Sequence, residues 1–382
     1  MQELTDIITP ELHELRRRFV AAGRDIRLVG GCVRDLLAGV TPKDIDLCTD
    51  ATPGEQMLIY GHSITFYETG LQHGTLTVNL GGNQLYEITS LRTETNHDGR
   101  HAEVAWTRDW EADLSRRDLT VNAMSMSFDG TLYDPFQGAQ DLLKKRVRFV
   151  GDPDERMKED YLRILRFFRF HARINGSVYL ENDEVGAIIR NHGGLRTISK
   201  ERVWVELAKI ISGPVGPSML AHMWFLGVND AIGVPMGDMD ALQIAHDHTR
   251  NPVSLMAAYL GDRADYTLAT LRASTAERQL ARFIGENVKK PLKLSDYKHL
   301  LAVTKAPRQH VVELALVRWD EVAADFARDW EIPIFPVDGN DIIAMGIPVG
   351  PRIGHFMDYL KGSWASWDYS ISKDELLALI EV

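Results

Sequence analysis

Apolar positions recur with two different periods in two parts of the chain. Leu12, Leu15 and Phe19 share one helical face and predict a helix over residues 1–24, ended by Gly23. Ile26 to Val29 is a short apolar run that reads as a strand, stopped by Gly30-Gly31. A short helix over Cys32 to Ala38 follows, then Gly39 and Pro42, then a second strand carrying Asp44 and Asp46. Thr52, Pro53 and Glu55 have the spacing of an N-cap, a first-turn proline and a capping box ahead of a helix. Strands are predicted over Ser63–Glu68, Gly74–Leu80 and Gln84–Leu91. The last two alternate (Leu76, Val78, Leu80; Tyr86, Ile88) around a Gly81-Gly82-Asn83 turn. Arg92–Trp106 is polar and reads as a mobile loop, while Asp113–Ser127 fits helix and strand equally.

From about Gln140 the period becomes helical. Helices are predicted over Ala139–Lys145, Asp154–Arg173, Asp183–Asn191, Ser199–Ile211, Ser218–Leu226, Val253–Leu260, Ser274–Glu286, Leu294–Ala302, Arg308–Ala327, Asp341–Ala344, Pro351–Ser363 and Ser372–Ile380. The expected fold class is α+β: a head with a small mixed β-sheet and helices, followed by an all-helical remainder.

Composition changes this picture little. The 382 residues allow two or three domains, and 45% hydrophobic with 25% charged residues is ordinary for a soluble protein. No apolar run approaches the roughly 18 residues of a membrane span. The N-terminal segment lacks the features of a signal or transit peptide, so a cytoplasmic location is expected. Cys32 and Cys48 give neither a disulfide framework nor zinc spacing. A net charge of −11 tells against non-specific coating of nucleic acid. The window Asp141–Arg173 is the local exception, with ten Lys/Arg against six Asp/Glu. Within it, Lys144, Lys145, Arg146 and Arg148 are candidate phosphate contacts.

Candidate chemistry sits on three stretches. In LVGGCVRDLLAGVTPKDIDLCTD, Gly30-Gly31 at a helix start allows close approach of a phosphate, and Arg34 adds a charged fork. Asp44 and Asp46, two apart on a strand, would share a face and repel each other unless a cation lies between them. An anion cradle beside a divalent-cation site suggests a nucleoside triphosphate with Mg²⁺. Glu87 is the best third carboxylate, although a solvated strand face explains it as well. Arg116-Arg117-Asp118 with Asn122 suits a polyphosphate and a ribose. On the helix expected to run from Asp154, Asp160 and Arg163 are i, i+3 neighbours, and Arg166 and Arg169 extend the row.

Together these residues resemble the class II tRNA nucleotidyltransferases, the CCA-adding enzymes of the polymerase β-like superfamily. The matching stretches, in family order over roughly residues 26–210, are LVGGCVRDLLAG, KDIDLCT, YEITSLRTE, DGRHAEVAW, DLSRRDLTVNAMS, DPFQGAQDL, EDYLRILRFFRF and SKERVWVEL. FPVDGNDIIAMGIPVGPRIG and KDELLALI resemble the family's C-terminal segments.

The resemblance implies a nucleotidyltransferase head over 1–140, a neck over 141–212, and a tRNA-binding body and tail over 213–330 and 331–382. It implies Asp44 and Asp46 as ligands of a two-Mg²⁺ site. Gly30, Gly31, Arg34 and Arg117 would meet the triphosphate, with Asp118 and Asn122 near the ribose. Asp160 and Arg163 would read the base, supported by Arg166 and Arg169 and braced by Glu201 and Arg202. Thr95–Trp106 resembles the loop associated with the final A addition. The implied partners are tRNA, CTP and ATP, and no membrane, for a monomer or homodimer. Three rivals stay open: a bacterial-type poly(A) polymerase, a non-catalytic tRNA- or nucleotide-binding protein, and metal phosphohydrolysis through His246-Asp247 with His222.

Overall fold

A computed structural model describes residues 2–81, 84–95, 103–177 and 182–380. The chain divides into two compact units, Met1–Ile232 and Gly233–Val382.

The first unit opens with α1 (Gln2–Ile7) and α2 (Pro10–Ala21) in place of one continuous helix. Pro10 has no N–H to continue α1, and the Thr9 hydroxyl caps α2 by accepting from Leu12 N. There follow β1 (Ile26–Val29), α3 (Gly31–Leu37), β2 (Asp46–Thr49), α4 (Pro53–Tyr60), β3 (Thr65–Gly70), β4 (Thr75–Asn79) and β5 (Leu85–Ser90). The capping box of Thr52 and Glu55 forms as expected. With β8 (Ser125–Met126) and β9 (Leu132–Tyr133), these strands make a seven-stranded sheet, β3-β4-β5-β2-β1-β8-β9. Only β2 and β5 pair in parallel, so the sheet is mixed.

One face of the sheet carries Leu28, Leu47, Leu76, Val78 and Ile88 into a core with Leu12, Leu15, Phe19 and Tyr60. Val29, Cys48 and Leu91 form a small cluster with Trp110 instead. Asp46 is two residues before Cys48 on β2, so it lies on that face, away from the main core.

Between residues 92 and 127 one expectation is corrected and one open reading is resolved. The predicted loop Arg92–Trp106 is a hairpin at its root: β6 (Arg92–Thr95) pairs antiparallel with β7 (Glu103–Trp106), Arg92 opposite Trp106. The Trp106 ring lies where a Cβ on Gly74 would be, within 2.4 Å, which pins the hairpin to the sheet. Residues 96–102 lie outside the described residues, as do 82–83 of the predicted turn. The ambiguous stretch resolves into α5 (Trp110–Ser115), a 3₁₀ turn at Thr120–Asn122, and β8.

Helices complete the unit: α6 (Gly138–Leu143), α7 (Pro153–Glu159), α8 (Leu162–Ile174), α9 (Asn182–Asn191), α10 (Lys200–Ile211), α11 (Gly216–Phe225) and α12 (Val228–Ile232). The expected single helix from Asp154 to Arg173 is broken. Asp160 is extended (φ −153°, ψ 104°), and its carboxylate accepts from Leu162 N at 3.1 Å, starting α8 afresh. Buried Met157, Leu162, Ile164 and Phe168 lie on both sides of the break, so apolar spacing does not reveal it.

The second unit is helical: α13 (Met239–His248), α14 (Pro252–Leu260), α15 (Ala264–Thr270), α16 (Thr275–Asn287), α17 (Leu294–Ala302), α18 (Arg308–Val317), α19 (Glu321–Asp329), α20 (Gly339–Ala344), α21 (Pro351–Ser366) and α22 (Lys373–Leu377). All of Val253–Leu260 on α14 is buried. Val337, Ile342, Leu360, Trp364 and Leu376 form a separate cluster toward the C-terminus. The expected helix Arg308–Ala327 is two, because Trp319 adopts φ +60° and Asp320 caps α19 through Ala323 N. No described helix is long and apolar enough to cross a membrane.

Candidate active site

Gly30 joins β1 to α3 with φ +65°, and a Cβ there would lie 2.8 Å from Arg117 Nη1. The backbone conformation demands glycine, and a side chain there would displace the Arg117 guanidinium. Arg34, one turn into α3, is buried. It donates to Asp35 Oδ1 at 2.8 and 3.0 Å and to Asn122 Oδ1 at 2.5 Å. Asn122 Nδ2 in turn donates to Asp118 Oδ1 at 3.2 Å, and Asp118 Oδ2 accepts from Arg166 Nε at 2.6 Å. One hydrogen-bonded chain thus runs from α3 across the 3₁₀ turn to α8. Burial works against the Asp118 charge, but Arg166 and Asn122 outweigh it and hold the carboxyl below its usual range.

Arg117 is fixed from behind. Its Nη2 reaches Asp113 Oδ2 at 3.3 Å and Cys48 Sγ at 3.6 Å. Asp113 is fully buried and also pairs with Arg116 at 2.8 Å. Burial pushes the Cys48 thiol up to about 12 and the Cys32 thiol up to about 11, so both are inert packing groups.

The residues of α7 and α8 differ from the expected row. Asp160 and Arg163 are not each other's partners. Asp160 pairs with Arg202 on α10 at 2.7 Å. Arg163 pairs with Glu159 and donates to the Arg116 carbonyl at 3.2 Å. Arg169 pairs with Glu206, one turn beyond Arg202, at 3.0 Å.

A cleft of about 870 Å³ gathers these groups. Gly30, Gly31, Arg34, Asp46, Arg117, Asp118, Asn122, Asp160, Arg163, Arg166 and Arg169 all line it. Asp44 and Glu87 do not. Asp44 is exposed in a bend ahead of β2, so the same-face argument made for a strand does not apply to it. Glu87, on β5, stands in parallel register with Asp46. The cleft also takes in Arg116, read from the sequence beside Arg117, and Arg92, Phe170, Arg173 and Lys209, which the sequence did not mark as site residues. Arg173 had a signal, since it lies four residues after Arg169 on the same helical face; Lys209 had none. The lining holds nine Arg/Lys and three Asp, in a chain of net charge −11. It is a site for a polyanion.

The phosphate contacts expected just before α7 are only partly available. Arg146 and Arg148 both pair with the fully buried Asp141, at 2.6 and 2.8 Å, whereas Lys144 and Lys145 are exposed.

The donors present fit Mg²⁺. Crowding by the protein and the like charges of Glu87 and Asp44 hold the Asp46 carboxyl above its usual range, against the pull of Arg117. Such a group gains from a divalent cation. Among the described residues no three His, Cys, Asp or Glu could hold a metal together. The fit therefore rests on Asp46, with Asp44 and Glu87 near enough to act on its charge, completed by phosphate oxygens in the usual manner for this hard ion.

The Poly A polymerase head domain family matches residues 26–148, the stretch that carries the glycine turn, Asp46 and Arg117. Human mitochondrial CCA tRNA nucleotidyltransferase 1 is 38% identical over 99% of this chain and 92% of its own length. The chain belongs to the CCA-adding tRNA nucleotidyltransferases. The CCA-adding enzyme of Lactobacillus delbrueckii subsp. bulgaricus is 34% identical over 74% of this chain and 72% of its own. The structure of the Bacillus stearothermophilus CCA-adding enzyme in complex with CTP superposes with TM-score 0.81 at 27% identity, covering 97% of this chain and 96% of that one. The likeness to CCA-adding enzymes thus runs over nearly the whole chain, well beyond the head.

Proposed function

We propose that the cleft adds C, C and A in turn to the 3′ end of tRNA, from CTP and ATP, without a nucleic-acid template. The observation that carries this reading is the convergence of the glycine turn, Arg117, Asp118 and the Asp160–Arg163 segment on one cationic cleft. The partners follow from the names of the relatives, which act on tRNA, and from the CTP bound by the Bacillus enzyme.

In this reading the tRNA 3′-hydroxyl attacks the α-phosphate. A new P–O bond forms, the α–β bond breaks, pyrophosphate leaves, and the hydroxyl proton passes to solvent. Asp44 and Asp46 would hold Mg²⁺, which would supply stabilisation of the negative charge on the phosphates. Arg34, Arg117 and the Gly30-Gly31 turn bind the remaining phosphates. Asp118 and Asn122 face the ribose.

Base choice falls to Asp160 and Arg163. Cytosine and adenine each present an exocyclic amine beside a ring-nitrogen acceptor, so a carboxylate can accept from the one and a guanidinium donate to the other. Uracil and guanine place a carbonyl where the amine should be, leaving buried polar groups unpaired at about 1–3 kcal/mol each. Arg202, and Glu159 with the Arg116 carbonyl, hold the two readers in place before a base arrives.

The test is incubation with tRNA lacking its terminal CCA and labelled nucleotides. Ordered C, C, A addition is expected. Tails of A alone would favour the poly(A) polymerase reading, and no incorporation would favour a binding protein. The cytoplasmic expectation meets the word mitochondrial in the human relative's name, and fractionation of cells expressing the tagged chain separates the two.

A further inference from the structure

Phe170 lies on α8 and is 5% exposed, yet its ring lines the cleft. Three guanidinium groups stand over it: Arg169 at 4.3 Å from the ring centroid, Arg34 at 4.9 Å and Arg166 at 5.7 Å. Arg34 comes from α3 at the glycine turn, and the other two from the helix that follows Asp160. No other ring among the described residues carries three cations. Each arginine also pairs with a carboxylate: Arg34 with Asp35, which Arg173 shares, Arg166 with Asp118 and Arg169 with Glu206.

Arginines crowded in a half-buried cleft repel one another. Burial, together with the charges of Arg166 and Arg34, weakens the hold of Arg169 on its proton. Two devices keep such groups from splaying into water. A carboxylate fixes a guanidinium but cancels the charge that a polyphosphate would meet. An aromatic face fixes a guanidinium through the ring quadrupole and leaves its charge intact. A cleft that must meet a triphosphate gains from the second device.

We propose that Phe170 is a positioning residue for nucleotide binding: its ring is a common platform that holds Arg34, Arg166 and Arg169 together without adding negative charge beyond that of their carboxylate partners. This rests on the reading of the cleft as the CTP and ATP site. The ring touches no reacting atom, so its contribution falls on nucleotide affinity and not on the chemical step.

The test replaces Phe170 in the full chain with mono-, di- and trifluorophenylalanine, which drain the ring face with little change of volume. The readouts are thermal unfolding and steady-state CMP incorporation into tRNA lacking CCA. KM for CTP should climb stepwise, on the order of tenfold across the series, with kcat and the melting temperature nearly constant. Phe170→Tyr, which keeps the face, should retain the native KM, and Phe170→Leu should match the trifluoro protein. A flat KM across the series, with Phe170→Leu alone impaired, would reduce the ring to packing and overturn the proposal. Should the unsubstituted protein incorporate no CMP, the reading of function fails on its own. The ring is then judged by titrating CTP onto the same proteins, where a flat affinity again overturns it.

Discussion

At the scale of single residues, Asp46 and Asp118 are opposite cases. Crowding by the protein, with the nearby carboxylates of Glu87 and Asp44, holds the Asp46 carboxyl above the usual range against the pull of Arg117. Its ionised form therefore opposes folding once the pH exceeds its unfolded value. Asp46→Asn should lower kcat by a factor on the order of 10³ or more, while the melting temperature at pH 7 stays level or rises. A fall in both would make Asp46 a structural residue. Asp118 is held below its usual range by Arg166 and Asn122, so it stabilises the fold above its unfolded pKa of about 3.9, and this is lost as pH falls through the folded value. Arg166→Met leaves Asp118 buried with one partner fewer. It should cost about 2 kcal/mol at pH 7, less than a fully enclosed pair because Arg166 is partly exposed. The deficit should shrink as pH is lowered toward 4, where Asp118 in the variant takes up a proton. Denaturant titrations of both proteins across that range check the trend, and a deficit independent of pH contradicts it.

At the scale of elements, what could be read from the sequence depended on whether an element announces itself locally. Gly30-Gly31, the Thr52 capping box and the alternation on β4 and β5 are local, and all formed as expected. The hairpin β6–β7 was missed because its polar strands owe their place to Trp106 over Gly74, a contact far apart in sequence. The break at Asp160 was missed because apolar spacing continues through it. Gly194 makes room for the break, since a Cβ there would fall 2.2 Å from the Tyr161 ring. Only glycine lets Tyr161 seat there and turn Asp160 toward the cleft. Gly194→Ala should cost about 1–3 kcal/mol of stability by overpacking, and should loosen base selection. Thermal unfolding measured beside CTP-against-UTP incorporation tests this; selectivity unchanged at lowered stability would separate Tyr161 from base reading. Most of the residues read from local motifs line one cleft, while Asp44 and Glu87 do not. Phe170, Lys209 and Glu206 were not legible, because their roles arise only where helices pack.

At the scale of the whole molecule, an acidic chain concentrates arginine in one cleft. The first unit holds every residue assigned here to catalysis and base choice, and the second is helical throughout. Nucleotide binding should weaken with added salt more steeply than the net charge of −11 would suggest, because the cleft sets the local field. The central claim is that protein side chains in this cleft choose the base. The most direct measurement is to sequence the 3′ ends of tRNA lacking CCA after incubation with all four nucleotides, for the native chain and for Asp160→Ala. The native chain should leave ends reading CCA. Asp160→Ala should admit U and G with discrimination reduced roughly ten- to a hundredfold, while the protein stays folded. Native ends other than CCA, or an Asp160→Ala protein with undiminished fidelity, would contradict the account.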